Sequence, residues 1–95
     1  VVLAGTPPSA SFTVTNANSS QVTKLLREAL GGTNATAFAI TDDTCYGTPL
    51  STGNCTVTVT FIGTVSTTTA QTASLTVTDG TANNTASVAM SVGGP

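Results

Sequence analysis

Cys45-Tyr46-Gly47-Thr48-Pro49-Leu50-Ser51-Thr52-Gly53-Asn54-Cys55 runs without a break into Thr56-Val57-Thr58-Val59-Thr60-Phe61. The only two cysteines of the chain bracket a turn-rich loop, and the second opens a strictly alternating run. That alternation puts Cys55, Val57, Val59 and Phe61 on one face and threonines on the other, the pattern of a half-buried β-strand. The cysteines can be read as a disulfide, as two buried thiols or as half of a metal site. A structural zinc site needs four ligands and the chain has no His, while a redox pair has the Cys-x-x-Cys spacing, which is absent. Gly47, Pro49 and Gly53 let the loop bring its ends together. The expectation is a disulfide Cys45–Cys55, and with it a compartment outside the reducing cytoplasm. Two free thiols on titration of the unfolded, unreduced chain would support the buried-thiol reading instead.

The same alternation recurs on both sides. Ser11 to Thr15 places Phe12 and Val14 on one face; Phe38 to Ile40 is a short strand after the Gly31-Gly32-Thr33-Asn34 turn. Ala73, Leu75 and Val77 alternate up to Asp79-Gly80, a strong turn dipeptide, and Val88, Met90 and Val92 line a last strand. Val1 to Pro8 reads as an edge strand followed by linker, since Pro7 and Pro8 cannot donate to a ladder. One segment has the other period. Val22, Leu25, Leu26, Ala29 and Leu30 are helically spaced, and Gly31 would cap a helix, so local signals predict one or two helical turns within 22–30. In an otherwise β sequence the alternative is a strand whose tertiary pairing overrides propensity. Short strands with regular turn signals define an all-β fold, an immunoglobulin-like antiparallel sandwich with one intradomain disulfide.

Composition narrows the function. A chain of 95 residues is one domain, 1–95, that buries only about two-thirds of its unfolded surface. Charged residues make up 6%, against roughly 25% in ordinary soluble domains, so threonine, serine and asparagine must keep the outside wet. With Lys24 and Arg27 as the only basic side chains and a net charge of −2, phosphate neutralisation on one face is out of reach, and no nucleic-acid partner is expected. No apolar run is long enough to span a bilayer, so membrane insertion is not expected either. The abrupt start at Val1 and end at Pro95 read as a module excised from a larger multidomain protein.

Taken in order, Phe12-Thr13-Val14-Thr15-Asn16, Phe38-Ala39-Ile40-Thr41, Asp43-Thr44-Cys45, Gly47-Thr48-Pro49-Leu50, Gly53 to Phe61, Ala73 to Asp79 and Val88 to Gly93 resemble the bacterial Ig-like modules of the choice-of-anchor type, relatives of the ASPM–SPD-2–Hydin domains. The resemblance covers most of the chain, including the cysteines. It departs where those modules carry a proline after the strand ending at Phe61 and this chain has Ile62-Gly63. It implies an antiparallel sandwich, commonly in tandem, in a large secreted or surface-attached protein, and it implies no single activity.

The side chains offer little catalytic material. Without His, a hydrolytic triad would need Lys24 as its base; no catalytic residue, cofactor or metal is expected. Asp42, Asp43 and Asp79 would be the acids of a calcium site, but they match no known loop spacing, and solvated loop acids are the simpler reading. Lys24, Asn83 or Asn84, and Glu28 or Asp79 supply the residue types of a self-formed Lys–Asn bond, against which stands a lysine reaching to water. Four matches to the glycosylation sequon, at Asn18, Asn34, Asn54 and Asn83, are expected by chance in so Asn- and Thr-rich a chain. Sugar binding relies on exposed rings, and Tyr46 is the one aromatic outside the core pattern; it is the candidate ligand contact, against a reading in which it packs over the disulfide or the sheet end. The expected role is a non-catalytic spacer or adhesion module at the cell surface or outside the cell. Its partners would be neighbouring domains of the same polypeptide, with a surface polysaccharide or protein ligand at the loops. An accessory carbohydrate-binding module of a secreted hydrolase and a virion decoration or tail domain are the alternatives.

Overall fold

The computed structural model describes residues 1–16, 23–50, 53–81 and 84–94. Among the described residues six strands form: β1 (Ser9–Thr15), β2 (Arg27–Gly31), β3 (Phe38–Asp43), β4 (Asn54–Phe61), β5 (Gln71–Thr78) and β6 (Thr85–Val92), with one 3-10 turn at Ala35–Ala37 before β3. They make two antiparallel three-stranded sheets, ordered β1-β4-β3 and β2-β5-β6. Lettered B to G, that order is B-E-D over C-F-G, the connectivity of the immunoglobulin sandwich. Val1–Leu3 supplies a short first element by bridging in parallel to Ser91 at the β6 edge, so the predicted edge strand is a ladder of a few rungs.

The central strands carry the core because both their neighbours and the facing sheet exclude water from one face. Val57 and Val59 of β4 are fully buried; Leu75 of β5 and Met90 and Val92 of β6 come from the opposite sheet. Phe38 and Phe61, cross-strand partners, pack edge to face with ring centroids 5.3 Å apart. Phe12 lies on the edge strand β1 and is half-buried against this core. On the outer faces, hydroxyls pair across strands: Ser11 with Thr58 and Thr78 with Thr85, both at 2.8 Å, and Thr41 with Thr60 at 2.9 Å. These pairs use threonine where most sheets use charge.

The helical expectation for 22–30 is overturned. Val22 lies outside the described residues; Arg27–Gly31 is an edge strand paired with β5. Leu26 is buried and Glu28 and Leu30 half-buried, whereas Leu25 is 54% exposed, a period of two rather than 3.6. A helix this short is marginal alone, while the β5 edge offers a ready ladder and a face to bury. Strand β3 also runs further than its sequence signal, through a register shift between Ile40 and Asp42, so Asp42 and Asp43 belong to a strand and not to a loop.

Candidate functional site

The site is the end of the sandwich where the Cys45–Cys55 loop joins the two sheets. Strand β3 ends at Asp43, whose Oδ1 accepts the backbone N–H of Cys45 at 2.8 Å and of Tyr46 at 3.0 Å. This carboxylate-capped turn aims the chain across to the other sheet. There the Gly47 N–H donates to the Leu26 carbonyl at 2.7 Å and the Leu26 N–H to the Thr48 carbonyl at 3.2 Å, on either side of a parallel Leu26–Tyr46 bridge. Gly47 holds φ +70°, a conformation that a side chain would strain. Leu50 is buried and its carbonyl takes N–H donors from Thr23 and from the Asn16 side chain.

Cys45 and Cys55 form the predicted disulfide, with Cα atoms 5.1 Å apart and Cys45 fully buried. In antibody domains the disulfide ties one sheet to the other; here it closes the β3–β4 connection within one sheet. The sheet-to-sheet tie is supplied instead by the Leu26 hydrogen bonds. Tyr46, next to this bond, is 61% exposed on the rim of the loop.

Beneath the rim the two edge strands bring together Glu28 of β2 and Asp43 of β3. Their carboxylate oxygens and the Cys45 sulfur all lie within 4.8 Å of one another. Both Glu28 oxygens are buried with no hydrogen-bond donor among the described residues. Burial first, then the neighbouring Asp43 carboxyl, pushes the Glu28 carboxyl up to about 7. The result is a close carboxyl pair. It is a poor metal centre, because the sulfur is in a disulfide and two carboxylates fall far short of the six to eight oxygens calcium takes.

The acids named from the sequence therefore separate. Asp42 is exposed on β3, Asp43 faces Glu28, and Asp79 sits at the β5–β6 turn. Asp79 accepts from the Asn84 side chain at 2.8 Å, the Thr81 N–H at 2.8 Å and the Lys24 N–H at 3.0 Å. The Asn84 bond is the largest of the causes that hold it down to about 2. Lys24 thus meets Asp79 through its backbone while the residue is exposed, and a carboxylate held ionised is a poor proton shuttle for Lys–Asn bond formation. Asn34 uses its side-chain oxygen to accept the Thr72 N–H at 3.0 Å, and Asn54 is exposed; Asn18 and Asn83 lie outside the described residues. No local pattern pointed to the Glu28–Asp43 pair, since Glu28 lay in the segment with helical spacing.

No helix is long and apolar enough to cross a membrane among the described residues. Comparison with protein-family models, with curated proteins and with solved structures finds no match. Fold and site together define an immunoglobulin-like sandwich whose one disulfide braces an exposed loop rim.

Proposed function

We propose that the chain is a non-catalytic spacer module of a secreted or cell-surface bacterial protein, one Ig-like domain among others on the same polypeptide. The observation that carries this reading is the direction of the ends. Val1–Leu3 runs parallel to β6, so the chain enters and leaves the sandwich heading the same way, along a body of 47 × 23 × 18 Å. Modules with that geometry string end to end without doubling back. The disulfide and the hydroxyl-coated faces fit an oxidising, exposed setting. Small-angle scattering of two copies joined tail to head is the test. The expected maximum dimension is close to twice that of one copy; a pair folded side by side would overturn the reading.

A second reading, adhesion or accessory carbohydrate binding, draws on the exposed Tyr46 ring. One ring stacks on one sugar and gives weak binding. Polysaccharide pull-down with Tyr46→Ala as control tests it: binding lost in the variant supports it, and no binding by the native chain removes it.

A further inference from the structure

At the disulfide end of the sandwich, side chains with metal-ligating atoms converge from three strands and one turn. They are Glu28 of β2, Asp43 of β3, Cys55 of β4 and Cys45 in the turn after β3. A carboxylate oxygen of Glu28, one of Asp43 and the Cys45 sulfur lie within 4.8 Å of one another, and the Cys55 sulfur is bonded to the last of these. Backbone pairing holds each residue in place without help from the S–S bond. Glu28 stands opposite Val77, Asp43 opposite Val57 and Cys55 opposite Val14. Cys45 is kept beside Cys55 by its neighbour: the Thr44 N–H donates to the Thr56 carbonyl, and the Thr56 N–H to the Thr44 hydroxyl, both at 2.9 Å. Asp43 spends its Oδ1 on the Cys45 and Tyr46 N–H groups, which leaves Oδ2 for a ligand. The Glu28 carboxylate is closed off from solvent at both oxygens, yet neither accepts a hydrogen bond among the described residues. A carboxylate without solvent or donors is costly, and a cation beside it removes that cost.

We propose that, once the disulfide is opened to two thiols, Cys45, Cys55, Glu28 and Asp43 bind one divalent cation of the zinc class, so that the loop is closed either by a covalent bond or by a metal. Opening by a phosphine consumes one water. Phosphorus is oxidised to the phosphine oxide, the S–S bond breaks, and the sulfurs leave with two electrons and the two protons of the water. Metal binding then releases both thiol protons, and any carboxyl proton on Glu28, to solvent. Two thiolates and two carboxylate oxygens make the four-coordinate set that zinc takes, at about 2.3 Å for sulfur and about 2.0–2.2 Å for oxygen. Donors in such a tetrahedron sit about 3.3–3.8 Å apart, so the carboxylates need close by only about 1 Å while the freed sulfurs part. Thiolate ligands select zinc over calcium and magnesium, which take oxygen alone. Both objections to a metal at the oxidised site fall away, because the sulfurs become free and the ligands number four. The site is independent of the spacer reading, since it needs only these four side chains.

The probe is Co2+, a spectroscopic stand-in for zinc, titrated into the chain after reduction with a phosphine and removal of the reductant under inert gas. A sulfur-to-cobalt charge-transfer band with tetrahedral d–d absorption is expected, saturating at one ion per chain. The oxidised chain should show neither. Zn2+ should bleach both bands and raise the melting temperature of the reduced chain. Glu28→Gln and Asp43→Asn keep size, and the asparagine oxygen can still accept the turn's N–H groups. Each should weaken Co2+ binding about tenfold or more, while melts of the oxidised variants confirm that they fold. A charge-transfer band that is absent, or that keeps its affinity in either carboxylate variant, overturns the proposal; the second result would leave the metal to the two thiolates alone.

Discussion

Glu28 and Asp79 are carboxyl groups pushed in opposite directions by their neighbours, and together they set the pH response. Glu28 lies above its ordinary 4.5 at about 7, so the folded chain holds a proton the unfolded chain releases, and stability falls as pH rises from 4.5 to 7. Asp79 lies below its ordinary 3.8 at about 2, so its contribution is present above 3.8 and lost as pH falls toward 2. Maximum stability is expected between these windows, near pH 4. Thermal melts should show a loss of roughly 5 °C between pH 4.5 and 7.5, about 1 kcal/mol once solvent screening is allowed for. Glu28→Gln should flatten that slope and leave the acid limb unchanged; an unchanged alkaline slope would remove Glu28 from the account. The disulfide acts at the same scale. Closing a loop with ten residues' separation contributes about 2.5–3 kcal/mol in the loop-entropy model. Calorimetry with and without a phosphine reductant should register a fall of roughly 10–20 °C.

At the scale of elements, legibility followed the strength of the period. Strands β4, β5 and β6 could be read directly because Val, Leu and Met alternate with Thr and Ser, with Cys55 in phase with Val57. Strand β2 could not, because Lys24-Leu25-Leu26-Arg27-Glu28-Ala29-Leu30 satisfies the helical period locally and meets the strand period only once β5 lies beside it. The Glu28–Asp43 pair was invisible for the same reason: its members sit on different sheets, and only the correct assignment of β2 brings them to facing edges. Tyr46 was named from scarcity of aromatics, but its exposure depended on the Asp43-capped turn, which no local pattern announces. The strand assignment makes a sharp prediction. Leu26→Ala should destabilise by about 2–4 kcal/mol, and Leu25→Ser by less than about 0.5, in urea denaturation. A helix burying both leucines would give comparable losses.

Across the whole molecule, the parallel ladder between Val1–Leu3 and β6 decides how the fold bears load. Pulling the ends apart drags these two segments in opposite directions along their length, so the bonds to Ser91 and Ala89 are strained together in shear rather than opened one by one. A spacer in a surface protein would be loaded in this way. The Ser91 N–H points away from β5, so Ser91→Pro removes one shear rung and leaves the sheet's own ladder in place. The equilibrium cost should be small, about 1 kcal/mol for one exposed backbone bond. In single-molecule stretching of a tandem array, the variant's unfolding force should fall well below that of the native chain, out of proportion to its modest loss of thermal stability. Equal forces for both would place the mechanical resistance elsewhere in the sandwich and leave the terminal ladder without a load-carrying role.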